Sequence, residues 1–282
     1  MQLLPLQEAI AAHVHDGARV ALEGFTHLIP FAAGHEIMRQ GRRNLHLIRM
    51  TPDLIYDQLI GMGCASQLTF SWGGNPGVGS LHRLRDAVEH GWPQPLALTE
   101  YTHAELALAY QAGASGMTCG LMLHHTDTDL DRVSPTSRRT LSCPFTGRPL
   151  RAVPAIRPDV TILHAQQIDG AGNVLLRGII GAAKEAAMAA ERLVITVEEQ
   201  VARLETDMNA VVLPSWLVTA ASIVPGGAWP SYAHNYYPRD NRFYLAWDDI
   251  ARERSAFTAW MERYVLGVRD HAEHLRMLGV AA

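Results

Sequence analysis

Short apolar runs alternate with helix-like segments along the first two thirds of the chain. The runs are RVALEGF (19–25), LHLIRM (45–50), QLTFSW (67–72), LALT (96–99), DVTILHA (159–165) and RLVITVEE (192–199). Between several of them lie FAAGHEIMRQG, DLIYDQLIGMG, LHRLRDAVEHG and AELALAYQAGAS, which space their apolar residues as helices do, several closing on glycine. Strands that alternate with helices pair in parallel, because each helix carries the chain back to the starting edge, and the helices then cover both faces. The pattern predicts an α/β fold built on one open, mostly parallel sheet flanked by helices. After about residue 205 the pattern changes to a Tyr- and Trp-rich stretch punctuated by Pro and Gly, too aromatic for a disordered linker. The expected organisation is a single domain over 1–282, with a core of about 1–205. An aromatic, helical C-terminal extension follows over about 206–282, its helical tail starting near Asp248 and packing on the core or on a partner.

Composition narrows the function classes. A net charge of -4 gives no electrostatic reason to expect nucleic acid or an anionic membrane as partner. Cys64, Cys119 and Cys143 are widely separated, with no CxxC and no histidine at ligand spacing, which argues against structural zinc and a disulfide framework. His124 and His125 lack a third ligand nearby, so no metal is expected. The N-terminal segment lacks the basic flank and apolar core of a signal peptide, and no run approaches the roughly 18–20 apolar residues of a membrane span. A cytoplasmic location is the expectation.

In open α/β sheets ligands bind beyond the carboxyl ends of the strands, so the glycine-bearing turns there are the candidate sites. In LEGFTHLIP (22–30), Gly24 permits close backbone approach, Phe25 offers an apolar wall, and Glu23 is either bonded by neighbouring amides or exposed in a cleft. A structural turn and a substrate contact both remain open. SWGGNPGVGS (71–80) spells the front half of a phosphate-binding loop, but Ser80 stands where the lysine should be, and His82 breaks the dinucleotide spacing. What remains is Ser80 capping a helix from Leu81 whose free amides could hold an anionic oxygen, with Asn75 able to donate and accept; a turn shaped by glycine alone is the alternative. In LTEYTHAELALAYQAG (98–113), Glu100 and His103 fall between strand and helix, a pairing suited to general acid/base work or to a helix-end charge beside a surface histidine. Glu198 and Glu199 carry the same ambiguity, and IDGAGN (168–173) carries an Asp-Gly turn signal.

DGARVALEGFTHLIP (16–30) resembles the A-subunit signature of the family I coenzyme A transferases, an Asp-Gly, an apolar run, Gly-Gly-Phe, a spacer and Gly-x-Pro. It departs at Glu23, where the first glycine of the pair is usual, and at Ile29, where a glycine precedes the proline. The resemblance continues through IDGAGN, ITVEEQV and VPGGAWPSYAH, which point to the glutaconate CoA-transferase type of A chain. EGFTHLIP, RMTPDLIYDQLIG, FSWGGNPGVGSLHRLRDAVE and CPFTG are similar to the branch whose acceptor is a 3-oxo dicarboxylic acid such as 3-oxoadipate, so that essentially the whole chain is covered.

The resemblance implies the CoA-transferase (NagB/RpiA-like) fold and a ping-pong transfer of CoA from succinyl-CoA to the acceptor acid, as in aromatic compound degradation. It implies a separate B subunit that supplies the nucleophilic glutamate and carries a glutamyl-CoA intermediate, in a heterotetramer or larger assembly. No cofactor is expected to be permanently bound; the coenzyme A thioester is substrate. Gly24, Phe25, Thr26, Ser71, Gly73, Gly74 and Asn75 are expected to line the acyl pocket, with Glu100 and His103 as catalytic candidates within this chain. Where simpler ketoacid transferases carry asparagines and a glutamine, this chain has Met50 and Thr51, and Glu100 or Tyr101. Alternatives are a hydrolase that opens the ring of a cyclic CoA thioester with a glutamate near the position of Glu100, and a glutaconate CoA-transferase. A ligand-sensing module would need a DNA-binding element, for which neither charge nor pattern speaks.

Overall fold

A computed structural model describes residues 1–123, 129–134 and 137–280; the His124–His125 pair lies outside the described residues. The first half runs β1 (Gln2–Leu3), α1 (Leu6–His13), β2 (Arg19–Leu22), α2 (Phe31–Arg39), β3 (Leu45–Ile48), α3 (Leu54–Gly61), β4 (Ala65–Phe70), α4 (His82–His90), β5 (Ala97–Glu100) and α5 (His103–Ala114). Next come β6 (Cys119–Leu123), α6 (Leu130–Val133), β7 (Arg139–Ser142) and β8 (Pro149–Pro154). They precede β9 (Val160–Asp169), β10 (Val174–Arg177), α7 (Ala183–Ala189), β11 (Arg192–Val201), β12 (Ala210–Leu213) and β13 (Ala220–Ile223). Helices α8 (Asn241–Arg252), α9 (Arg254–Met261) and α10 (His271–Met277) follow, with a π turn at Glu262–Leu266.

The main sheet has the order β1-β13-β11-β9-β2-β3-β4-β5, every neighbour on that path parallel, with β10 antiparallel to β9 and β12. Successive side chains of a strand point to opposite faces. Val20 and Leu22 accordingly enter the cluster under α1 to α4, whereas Ala21 between them enters the cluster under α5 and α7. The open, helix-flanked parallel sheet expected from the alternation is what forms. The antiparallel trio β6-β8-β7 lies outside the expected runs: β7 is exposed along its whole length, and the residues that β8 buries include the polar Arg151.

Three boundaries differ from the sequence expectation. The sheet continues through β13, so the sheet core ends at Ile223 rather than near 205. Helix α8 begins at Asn241, seven residues before Asp248, because the Asp240 side chain accepts the amides of Arg242 and Phe243 and caps it. Helix α4 starts at His82 with no cap from Ser80; the Asp57 carboxylate, from α3, accepts the amides of Arg83 and Leu84 at 2.8 and 2.9 Å.

The extension packs on this core. Trp247 stacks among Phe243, Phe257 and Trp260, and its indole N–H donates to Asp57 at 3.1 Å. Burial pushes the Asp57 carboxyl up to about 6 even though three N–H groups bond it. Helix α10 meets α2 through three buried histidines, with ring centroids of His35 and His274 4.6 Å apart and those of His271 and His274 5.6 Å apart. Each directs one nitrogen at a carbonyl oxygen: His35 at Gln58, His271 at Gly226, His274 at Tyr264. Their other ring nitrogens are buried without a partner among the described residues.

Candidate functional site

The carboxyl ends of β2, β3, β4 and β5 lie side by side, so the loops that follow them form one rim. The loop after β2 is the most constrained. Gly24 has φ 152°, and a Cβ there would stand 2.8 Å from the His27 carbonyl oxygen and 2.9 Å from that of Leu28. Thr26 and Leu28 sit at φ 57° and 52°, a left-handed region that side chains rarely adopt and that the surroundings must enforce. The enforcement comes from the C-terminal segment, as Leu28 N donates to Tyr232 O at 3.0 Å and Ile29 N to Ser231 Oγ at 3.2 Å. His27 is held as one tautomer: Nε2 accepts the His234 amide at 3.0 Å, so Nδ1 carries the hydrogen toward Ile179 O at 2.9 Å. Burial lowers its pKa to about 4. Phe25 lies against Gly181, where a Cβ would come within 2.9 Å of the Phe25 Cβ.

The loop after β4 forms the other edge. Ser71 and Trp72 amides both donate to Met50 O at 3.2 Å, Ser71 Oγ donates to the same oxygen at 2.7 Å, and Gly74 N donates to Pro52 O. Gly74 lies under the Trp72 indole, where a Cβ would approach the ring to 2.6 Å. Trp72 is 47% exposed on this rim, an aromatic that sequence reasoning passes over although it stands inside the SWGGN stretch. Asn75 faces the other way. Its side chain is buried and donates to Tyr244 O at 2.8 Å, while a Cβ on Gly79 would meet Asp248 at 3.0 Å. The second half of SWGGNPGVGS therefore receives α8, and the first amides of α4, expected to be free for an anion, are already taken by Asp57.

Beneath the rim lies a buried ionic network. Glu23 Oε1 accepts the Tyr110 hydroxyl at 2.9 Å and the Met50 amide at 3.2 Å. Arg49, fully buried, donates to Gly24 O at 2.7 Å and forms an ion pair with Asp53 at 3.0 Å. Burial raises the Glu23 pKa, with Arg49 and the hydrogen bonds opposing. Of the two alternatives for Glu23, it is the bonded, buried one.

Glu100 ends β5 half-buried, and His103 is the exposed first residue of α5; no hydrogen bond joins them among the described residues. Between them Thr102 caps α5 reciprocally with Glu105, whose carboxylate also receives Arg138 twice at 2.7 Å and Arg151 at 3.0 Å. Although burial works against it, these bonds hold Glu105 at about 2. A cavity of about 250 Å³ runs along the sheet face from Arg19 and His46, at the amino ends of β2 and β3, to Thr99 and Tyr101, with Ser137 and Ile156 across from them.

Glu198 is buried toward the carboxyl end of β11, two strands from β2, accepting His164 Nε2 at 2.6 Å, Tyr237 Oη at 2.5 Å and Gly226 N at 2.8 Å. Burial alone would raise its pKa, but His164 and Tyr237 keep it below the usual value. Glu199 is exposed and bonded by Gln167 and Tyr236. IDGAGN is a hairpin turn, the Asp169 carboxylate accepting the amides of Ala171 and Asn173. No group of three His, Cys, Asp or Glu among the described residues could hold a metal ion, and no described helix is long and apolar enough to cross a membrane.

Comparison with known proteins places the chain. The family model described as Coenzyme A transferase matches residues 4–222. The chain is 60% identical over 272 residues to the A subunit of the 3-oxoadipate CoA-transferase of Pseudomonas knackmussii, covering 96% of each. It is 30% identical to the A subunit of the glutaconate CoA-transferase of Acidaminococcus fermentans, covering 99% of this chain and 92% of that one. The crystal structure of glutaconate coenzyme A-transferase from that organism superposes with a TM-score of 0.89 at 28% identity, over 99% of this chain and 93% of that one.

Proposed function

The chain belongs to the coenzyme A transferase family as an A-type subunit, and on that premise we propose that it is half of a heteromeric enzyme moving CoA from succinyl-CoA to 3-oxoadipate. The observation that carries this is the 60% identity, over 96% of both chains, to a relative named for that acceptor. A B-type partner completes the enzyme and supplies the nucleophile. In keeping with this, the buried carboxylates of Glu23 and Glu198 are already spent on internal hydrogen bonds.

The chemistry follows from exchanging one carboxylate for another. The partner's glutamate attacks the thioester carbonyl of succinyl-CoA, and the CoA thiolate leaves to give a mixed anhydride. The thiolate then attacks the glutamyl carbonyl, releasing succinate and leaving a glutamyl thioester. The acceptor carboxylate attacks that thioester, expelling the thiolate and forming a second anhydride. Attack of the thiolate on the acceptor's carbonyl gives its CoA thioester and restores the glutamate. This chain contributes the Gly24–Thr26 and Ser71–Gly74 edges, with Phe25 and Trp72 as apolar walls; the Ser71, Trp72 and Gly74 amides are engaged by Met50 and Pro52, so the rim amides left for a developing oxyanion are those of Phe25, Thr26 and Gly73. Asn75, turned toward α8, acts by seating that helix.

The test is co-expression with a B-type chain, followed by assay of succinyl-CoA against 3-oxoadipate, glutaconate and acetoacetate. Transfer to 3-oxoadipate in the pair and none from the chain alone is expected; turnover by the isolated chain would refute the division of labour. Glu100 sustains the hydrolase alternative, since no hydrogen bond engages its carboxylate among the described residues. Glu100→Gln separates the two: loss of all chemistry with binding intact favours hydrolysis, a modest loss favours transfer.

A further inference from the structure

Three rim loops of the candidate site are tied together by one buried side chain. Glu23 Oε1 takes the amide of Met50, and the carbonyl of Met50 takes the amides of Ser71 and Trp72 and the Ser71 hydroxyl. The loops after β2, β3 and β4 are therefore linked in series through Met50. The same Glu23 oxygen accepts the Tyr110 hydroxyl, which anchors it to α5 on the opposite side of the sheet from α3. Arg49 braces the arrangement from below through Gly24 O and Asp53. At 2% exposure Glu23 cannot touch a ligand on the rim, yet each bond it makes fixes a backbone or ring that borders the rim.

We propose that Glu23 is a positioning residue for the transfer reaction, setting the spacing between the Gly24–Thr26 edge and the Ser71–Trp72 edge of the acyl slot. This rests on the transferase function proposed above. Loss of Glu23 frees Met50 N and the Tyr110 hydroxyl, each of which donates to Glu23 alone among the described residues. Met50 then shifts, and with it the three donors that its carbonyl holds. The ground state still binds on the loosened rim, but groups held within a few tenths of an ångström matter most in the transition state. The expected signature is a fall in kcat rather than a rise in KM. Glutamine keeps an acceptor oxygen in place, so Glu23→Gln should recover most of what Glu23→Ala loses.

The experiment compares wild type, Glu23→Ala, Glu23→Gln and Tyr110→Phe, each co-expressed with the B-type chain. Two quantities are read: kcat and KM for succinyl-CoA and 3-oxoadipate, and amide exchange at Met50, Ser71 and Trp72 in the same complexes. Expected for Glu23→Ala are a drop in kcat of at least tenfold with KM within threefold, and exchange at least tenfold faster at Ser71 and Trp72. Tyr110→Phe, which spares the Met50 bond, should show a smaller change in both. Unchanged exchange at Ser71 and Trp72 in Glu23→Ala, or faster exchange with wild-type kcat, overturns the proposal. Should Glu23→Ala fail to fold, Glu23→Gln decides instead: a tenfold loss of kcat with wild-type protection at Ser71 and Trp72, or lost protection with wild-type kcat, also overturns it. Exchange needs no turnover, so absence of transfer in the wild-type complex rejects the transferase function while the exchange data still judge the anchoring.

Discussion

Acidification to pH 5 should loosen the packing of α10 on α2, and the three buried histidines set the size of the effect. Burial depresses all of them, His271 to about 3, His274 to about 4 and His35 well below its ordinary value, with the neighbouring imidazoles and Arg39 adding repulsion. A histidine whose folded pKa is depressed contributes no pH dependence above about 6.5, where it is neutral folded or unfolded. Below that the unfolded chain takes up protons that the folded one refuses, so stability falls as pH drops toward the folded pKa. At pH 5 His271 and His274 cost about 2 kcal/mol each, about 4 kcal/mol together, and His35 adds to the loss in the same direction. Asp57 acts in the opposite sense, because its folded pKa of about 6 lies above the unfolded value. It recovers only about 1.4 kcal/mol over the same interval. The histidines win: before His35 and His27, which act in the same direction, the net loss is already roughly 2–3 kcal/mol, a sizeable part of a typical domain's 5–15 kcal/mol. The assay is the urea midpoint followed by tryptophan fluorescence at pH 7.5, 6 and 5. His274→Leu should be weaker at pH 7.5, having lost its bond to Tyr264 O, yet should shed about 2 kcal/mol less stability on acidification. A midpoint that does not move between pH 7.5 and 5, or an identical decline in His274→Leu, would refute the reasoning.

Two further outcomes follow from single contacts. Asp57→Ala leaves the Arg83 and Leu84 amides and the Trp247 indole N–H without their acceptor, so it should destabilise by about 3 kcal/mol or more, visible as a lowered Tm and a red-shifted tryptophan emission. Gly24→Ala puts a Cβ into three backbone atoms at φ 152°, and should cost at least about 2 kcal/mol while abolishing transfer in the co-expressed complex; wild-type activity would show that the loop tolerates another path.

The sheet was legible because β2, β3, β9 and β11 are short runs buried on both faces and separated by helix-length segments, a pattern that depends only on local sequence. What failed was long-range. Ser80 has the right chemistry to cap α4, but Asp57 reaches the same amides from α3, and nothing near residue 80 announces it. Asn75 reads as a ligand-facing amide until α8, some 170 residues later, takes its hydrogen bond. The Gly24 turn reads as special from its glycine alone, whereas the reason Thr26 and Leu28 hold left-handed dihedrals lies at Ser231 and Tyr232. Glu23 stands out as an acid at a strand end, but choosing between burial and exposure requires Tyr110. Trp72 continues the alternation of Leu68 and Phe70 and so reads as a buried strand residue; its exposure follows only from β4 ending at Phe70.

The strand order also governs how the molecule is made. β2 leaves the ribosome early, yet its partner β9 starts at Val160, and the loop beyond β2 closes only on Ser231 and Tyr232. At roughly 5–20 residues per second, the interval between β2 and that closing segment is on the order of 10–40 s. Until β9 is made, about 138 residues and so roughly 7–28 s after β2, the backbone edge of β2 has no permanent neighbour on that side. A nascent chain stalled before residue 160 should therefore be a chaperone client, and release from that dependence should coincide with synthesis of the C-terminal aromatic segment.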